Sequence, residues 1–515
     1  MKLSRGWAVG RMGVALTLGL VARAADTPAA GVAVAPSPPV ASLAELRSLI
    51  ERHVTQPRFE GAFWGVKVVS LDTGRTLYEH GANLRLSPAS NSKLYAGALA
   101  LDALGGDARI RTPILATAAV DAAGDLAGDV IVSGRGDPSW NPRRSGGEFA
   151  AVFAPFVAVL QRAGVRRIAG DVVADATFFR GPPYGAGWTA EDLNEDYGAE
   201  ISAITLDDNY VDLRVTPGTT LGSPCLIEVV QPHSELKFDN RTVTVAAGGA
   251  WKLTVLRLPG ETTVRVFGEL PLGGKPELTE ATVQRTEAWF AAGLKAALER
   301  AGIPVAGAAR GVRWPEESAT GAVRIGEVES PPLREMVKHL MKVSQNQHTD
   351  LVFAHVGETR RTPQTPATTW SEALAVGALR EFLGKNGLRE REVIFEEGSG
   401  LSRNNLTTAA ATVALLEFMA KHREAAAFAE ALPLAGVDGS LRRRMLGTAA
   451  EGKVRAKTGT LRWAAGLSGY VTAVSGERLA FSLMLNRHRG TPERPAGREL
   501  DEIAVLLARY GGAKD

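Results

Sequence analysis

Cysteine is almost absent from this chain: Cys225 is the only one in 515 residues. No intramolecular disulfide can brace the fold, so a large hydrophobic core must do so, which a chain of this length can bury. Cys225 itself is expected to be buried rather than reactive. No segment reaches the roughly 20 consecutive apolar residues that span a bilayer. Several catalytic signatures are missing as well. No serine sits in a G-x-S-x-G elbow, the eight histidines form no H-E-x-x-H pair, and no G-x-x-x-x-G-K-[ST] loop occurs. His348 and His355, seven apart, are expected to be satisfied or exposed rather than metal ligands. No metal and no cofactor is expected.

A strong charge of one sign is also lacking. The net charge is +3, but Lys2, Arg5, Arg11 and Arg23 lie in a leader-like segment with no acids. Without those four of the 59 basic residues, 55 remain against 56 acidic ones. The sequence pI of about 8.9 therefore belongs to the N-terminus and implies no nucleic-acid partner and no anionic membrane surface. Lys2, Arg5 and Arg11, the short apolar run Met12 to Val21 and the small residues of Ala22-Arg23-Ala24 make the three-part pattern of a signal peptide. Residues 1–24 are read as that leader and 25–41 as a linker rich in Ala, Pro and Val. The expected address is exported, periplasmic or cell-envelope associated, with no integral membrane segment after leader cleavage. Leu500, Ile503, Ala504 and Leu507 have helical spacing and predict a terminal helix that packs on the core.

What is present has a clear order. Helical spacing over Leu43 to Val54 precedes strand signals at Gly65 to Ser70 and Thr76 to Glu79, joined by Asp72-Thr73-Gly74. Ser87 as N-cap and Pro88 at the first position predict a helix that Gly105-Gly106 closes. From about 107 to 275 short β-like runs alternate with Asp/Gly turns, interrupted by one helical pattern near Phe149 to Leu160. After Pro276 helical patterns return, and strand signals follow at Lys453 to Leu461, Ala464 to Val474 and Leu479 to Asn486. Strands at both ends with helices between predict an α+β fold whose sheet is assembled from the two ends. Residues 42–106 plus 276–515 would form that domain, and 107–275 a mostly β insertion.

Three short patterns carry the chemistry: Ser90-Asn91-Ser92-Lys93, Ser344-Gln345-Asn346 and Lys457-Thr458-Gly459. Each is weak alone, since Ser234-Glu235-Leu236-Lys237 also satisfies S-x-x-K, and Ser139-Trp140-Asn141 and Ser402-Arg403-Asn404 satisfy S-x-N. Context separates them. Ser90 lies in the first turn of a helix with Lys93 on the same face, where a desolvated lysine near another cation can accept the serine proton. Unpaired N–H groups at that helix start favour an oxyanion. Ser234 follows Pro232 in a polar stretch and reads as a surface turn. Ser344 could relay a proton, and Lys457 could hold a carboxylate beside Gly459, which permits close backbone approach.

S-x-x-K, S-D-N and K-T-G form the motif set of penicillin-binding proteins and class A β-lactamases, and here the middle motif is S-Q-N. The chain resembles class C low-molecular-mass penicillin-binding proteins, the D-alanyl-D-alanine carboxypeptidase/endopeptidases of the penicillin-binding protein 4 type. The resemblance runs from about residue 43 to the C-terminus. It includes Pro88 to Lys93, Ser133-Gly134-Arg135-Gly136-Asp137-Pro138, Gly398 to Asn405, Ala435 to Leu441 and Ala456 to Leu461. It implies a penicillin-binding/β-lactamase-like transpeptidase domain acting on peptidoglycan stem peptides and muropeptides, with β-lactams as inhibitors. By the same resemblance Ser90 would be acylated, Lys93 would be its base and Ser344 the proton relay. Asn346 would bind the substrate backbone, Lys457 and Thr458 its carboxylate, and the N–H groups of Ser90 and Thr460 the oxyanion. The family usually has Asp-Gly-Ser-Gly where this chain has Glu397-Gly398-Ser399-Gly400, which leaves Glu397 without an assigned role. A β-lactamase-like hydrolase, or a non-catalytic β-lactam- or peptidoglycan-binding protein, would share the motifs. The long insertion argues against the first.

Overall fold

The computed structural model describes residues 38–512 except 146, 250, 259, 318 and 319. The expected leader, and the linker as far as residue 37, lie outside the described residues.

A five-stranded antiparallel sheet is assembled from both ends of the chain. Its order is Val454–Leu461, Ala464–Thr472, Arg478–Asn486, Phe63–Ser70, Thr76–His80. The two halves meet where Phe63 pairs with Asn486 and Ser70 with Leu479. The central strand Arg478–Asn486 is buried at every position but the first. It reads as a nearly continuous apolar run because both faces of the sheet are covered. On one face lie the helices Leu43–Val54 and Ala496–Ala508, whose Leu46, Ile50, Leu500, Ile503 and Leu507 are fully buried in one cluster with Val66, Leu467 and Phe481. Ser42 caps the first of these by accepting from Glu45 N at 3.2 Å. The terminal helix thus packs on the core, as its spacing predicts, and among the described residues no helix is long and apolar enough to cross a membrane.

On the other face the helices Ser92–Leu104, Leu333–Lys342, Asn346–Glu358, Ser371–Lys385 and Ala409–Met419 share a second cluster. It is built on Leu94, Leu101, Val337, Val356, Leu379 and Leu415. Ser92–Leu104 is buried along most of its length, which makes it the axis of that layer.

The inserted region has its own core. Val130–Ser133, Val172–Asp175 and Arg111–Ala116 form the middle of a second five-stranded sheet, and two three-stranded sheets lie beyond it. The packing of this region runs past the expected limit at 275. Ala309–Val312 and Val323–Glu329 are the edges of the second sheet. The helix Thr286–Arg300 buries Trp289, Phe290, Leu294 and Leu298 in the same cluster as Phe153 and Phe156. Pro276 is followed by one more strand of the module, Glu277–Thr282, before this helix begins, and the contacts that hold the helix there are non-local. Cys225 is a free, buried thiol in this core.

Candidate active site

Ser90 arrives on a distorted turn. Ala89 takes a φ of 49°, in the left-handed region that alanine rarely enters. Ala89–Asn91 form one 3-10 turn before the helix Ser92–Leu104 begins. The cap expected from Ser87 is not made. This extra turn sets Ser87 back from the helix, and its Oγ is buried without a partner among the described residues. Ser87 is held through its backbone instead: its N–H donates to Asn486 Oδ1 at 2.8 Å, and its carbonyl accepts from Asn486 Nδ2 at 3.1 Å.

Glycines let two other segments close on this turn. A Cβ on Gly459 would meet Pro88 O at 2.5 Å, and one on Gly400 would meet Ala89 O at 2.0 Å. The close approach expected at Gly459 is therefore present, and it sets the strand Val454–Leu461 directly against the turn that carries Ser90. Asn91 Nδ2 fixes the arrangement by donating to Ser468 Oγ at 2.8 Å.

Lys93 is fully buried, and its Nζ contacts three groups. Ser90 Oγ lies at 3.1 Å, Asn346 Oδ1 at 2.6 Å and the Ser399 carbonyl at 2.6 Å. The orientation of the Asn346 amide is set by its Nδ2, which donates to Tyr197 O at 3.0 Å. Two of the three lysine partners can only accept, whereas the serine hydroxyl can also donate. A neutral amine satisfies all three: its two hydrogens go to Asn346 and Ser399, and its lone pair faces the Ser90 hydroxyl. Burial lowers the Lys93 pKa to about 8, against the opposing pull of Asp350 and then Glu397. Of the two causes that the sequence suggests, desolvation and a neighbouring cation, desolvation is thus the one that lowers it.

Ser344 lies between the helices Leu333–Lys342 and Asn346–Glu358, with a left-handed φ of 64°. Its Oγ accepts from Lys457 Nζ at 2.8 Å, and the same Nζ donates to Thr458 O at 2.8 Å. Lys457 is fully buried. Burial, the charge of Lys93 and then that of Arg444 hold its pKa well below the ordinary lysine value. Thr458 Oγ1 shares a 2.7 Å hydrogen bond with Ser440 Oγ.

The strand Val454–Leu461 is the sheet's edge. Ala456 N–H donates outward to Pro433 O at 2.9 Å, and Val454 O accepts from Ala435 N at 2.9 Å. Since alternate residues of an antiparallel strand face the same edge, Thr458 and Thr460 also present their backbone groups outward. There an extended peptide can add as a further strand.

The structure therefore brings Ser90, Lys93 and Asn346 into one hydrogen-bonded group and Ser344, Lys457 and Thr458 into another, with the close approach of Gly459 to Pro88 setting the edge strand against the first. The competing patterns lie elsewhere. Ser234 sits between the left-handed residues His233 and Glu235, and Ser139 N–H donates to Asp137 Oδ1 at 2.8 Å. Ser402 Oγ donates to Glu396 at 3.2 Å. His348 Nε2 pairs with Asp208 Oδ1 at 2.6 Å, and His355 Nδ1 with Arg135 O at 2.9 Å.

A family model described as the D-Ala-D-Ala carboxypeptidase 3 (S13) family matches residues 46–510. The chain belongs to this family. It is 36% identical over 484 residues to a D-alanyl-D-alanine carboxypeptidase of Actinomadura sp. (strain R39), covering 92% of this chain and 86% of that one. It is 27% identical over 435 residues to the D-alanyl-D-alanine carboxypeptidase DacB of Haemophilus influenzae, covering 84% and 87%. The crystal structure of penicillin binding protein 4 (dacB) from Haemophilus influenzae aligns with a TM-score of 0.76 at 26% identity, over 89% of this chain and 98% of that one. Membership makes this chain a serine-type D-Ala-D-Ala carboxypeptidase with the α+β penicillin-binding fold.

Within this S13 site, three contributors have no sequence signal of their own. Tyr197 orients Asn346 from the inserted region, Ser399 offers a carbonyl rather than a hydroxyl, and Asp350 comes from the helix Asn346–Glu358, one turn beyond Asn346. A motif search that reads side chains cannot find a carbonyl ligand such as Ser399 O.

Proposed function

We propose that this carboxypeptidase works through an acyl-enzyme on Ser90, with Lys93 as the base. The observation that carries the reading is the three-way contact of Lys93 Nζ, which in the neutral amine leaves the lone pair for Ser90 Oγ. The substrate's C-terminal D-Ala-D-Ala lies antiparallel to the edge strand, its carboxylate on Lys457 and Thr458. Ser90 Oγ attacks the penultimate D-Ala carbonyl as its proton passes to Lys93. The backbone N–H groups of Ser90 and Thr460 receive the oxyanion. Ser344, bonded to Lys457, passes a proton to the departing D-Ala amine, and water then releases the acyl group. One N–H of Asn346 remains for the substrate backbone, since Nδ2 has two hydrogens and Tyr197 O takes one.

The same attack on a β-lactam carbonyl leaves a covalent adduct, so penicillins act as inhibitors. A cleft lined by Ser87, Thr189, Arg403, Leu461, Arg462 and Trp463 continues from the edge strand and gives room for the upstream stem peptide. Peptidoglycan as substrate and an exported, periplasmic location complete the reading, which includes D,D-endopeptidase action on cross-links. Intact-mass analysis after penicillin exposure, with peptide mapping, tests it. The expected result is one adduct on Ser90 that Ser90→Ala abolishes; an adduct elsewhere, or none, overturns it. Turnover of a D-Ala-D-Ala peptide against a cross-linked dimer ranks the two activities.

A further inference from the structure

Glu397, the residue at which this chain departs from the family pattern, is fully buried, and both carboxylate oxygens are saturated. Oε1 accepts from Gly400 N at 2.7 Å, Asn405 Nδ2 at 2.7 Å and Ser402 N at 3.4 Å. Oε2 accepts from Ser399 N at 2.8 Å and from Ser399 Oγ. Five donors converging on one carboxyl mark it as the ionised form.

The neighbouring acid is placed differently. Asp350 Oδ1 accepts from Gly398 N at 2.9 Å and Ser399 N at 3.0 Å, while Oδ2 is buried with no partner among the described residues. Two carboxyls that share the Ser399 N–H in a dry site do not both ionise. The donor count puts the charge on Glu397 and the proton on Asp350. Burial and then the charge of Glu397 push the Asp350 pKa well above the usual carboxylate range. If ionised, Asp350 would act on Lys93 more strongly than Glu397 does, but its own surroundings keep it neutral.

With the Ser399 N–H and hydroxyl both held by Glu397, the Ser399 carbonyl faces Lys93 Nζ at 2.6 Å. We propose that Glu397 is a positioning residue for acylation: it fixes the Ser399 carbonyl on Lys93 and supplies the buried negative charge that balances the ammonium formed there. The inference rests on the Ser90–Lys93 reading. In that step the Ser90 O–H bond breaks and its proton joins the Lys93 lone pair. Oγ bonds to the substrate carbonyl carbon, whose π electrons move onto the oxyanion. A buried cation is thereby created, and it is costly without a counter-charge.

The other titratable groups around the pair do not supply that charge. Glu372, on the helix Ser371–Lys385, is pushed up to about 8 by burial and then by Glu397, so it is protonated at neutral pH. Glu396 is occupied with Ser402 Oγ and Asn404 Nδ2 on the outer side of the loop. Lys457 and, behind it, Arg444 are basic groups and bring no negative charge.

The test is the pH profile of penicillin acylation, followed by intact mass, for the wild type, Glu397→Gln, Glu397→Asp and Asp350→Asn, each checked by thermal melting. Removing the charge is expected to move the acid limb of the Gln variant down by about one pH unit or more. Its plateau rate falls at least about tenfold, because the ammonium in the transition state loses its counter-charge. Glu397→Asp restores most of the rate, and both it and Asp350→Asn leave the limb in place. A limb that stays put in Glu397→Gln, as a merely structural role requires, or one that moves in Asp350→Asn overturns the proposal. If the Gln variant does not fold, the limb positions of the other two variants decide. Absence of a Ser90 adduct in the wild type would instead defeat the Ser90–Lys93 reading itself.

Discussion

Lys457 Nζ donates to Ser344 Oγ across 2.8 Å, joining two motifs 113 residues apart in the chain. Because burial and the charge of Lys93 hold the Lys457 pKa well below its ordinary value, an arriving substrate carboxylate restores the cation. Binding of a D-Ala-D-Ala peptide to Ser90→Ala should therefore take up a proton near neutral pH. Calorimetry in buffers of different ionisation enthalpy reads this directly, and uptake should vanish in Lys457→Met. On the proposed roles, Ser344→Ala keeps the carboxylate site but loses the relay, so its turnover should fall by about 10²–10⁴ with little change in KM.

The Lys93 pKa of about 8 sets the pH dependence of acylation. Lys93 must be neutral to accept the Ser90 proton, so the acylation rate should rise with pH and level off above about 8. Lys93→Arg should not acylate at any pH in this range, because a guanidinium does not deprotonate.

The same group has a stability signature. Its folded pKa is about 8, below the ordinary 10.5, so the unfolded chain holds the extra proton between those values. Its contribution to stability is lowest below pH 8 and recovers as pH rises toward 10.5. Lys93→Met should melt above the wild type at pH 7, and that difference should shrink as the pH approaches 10.

Gly459→Ala places a Cβ 2.5 Å from Pro88 O. Backbone cannot yield as a side chain does, so the strand must move away from the turn that holds Ser90. We expect a loss of about 1–3 kcal/mol in stability and a larger fractional loss of penicillin acylation than of folded protein, measured by circular dichroism alongside intact mass.

Arg313 ties the inserted region to itself through Glu287 at 2.6 Å and Glu200 at 2.9 Å, with both acids almost fully buried. Arg313→Leu leaves those carboxylates short of a counter-charge and should lower stability by about 3 kcal/mol. Glu287 keeps Arg285 at 3.0 Å, which limits the loss. Thermal denaturation checks it.

The sheet from both ends, the helix after Ser90 and the three motifs were legible because each is written locally, as a strand alternation, an apolar run or a triplet. Three other features were not. The helix Thr286–Arg300 has an ordinary amphipathic pattern that says nothing about which core it joins, and only its contacts with Phe153 and Phe156 assign it to the insertion. Ser87 and Pro88 form a good helix start on paper, but Ala89 is left-handed and lies against Gly400 and Gly459, a tertiary contact that local propensity does not reveal. The depressed pKa of Lys93 needed its burial, which no spacing reveals, and the part played by Ser399 is a backbone carbonyl that any residue carries.

Val454–Leu461 is joined to the sheet through Ala464–Thr472 and then Arg478–Asn486, which pairs with Phe63–Ser70. A chain emerging from the ribosome thus carries Ser90 and Lys93 early and lacks the edge strand until nearly the end. On the proposed mechanism, a chain cut short before Val454 should therefore form no penicillin adduct, because Ser90 lacks the strand that receives the peptide.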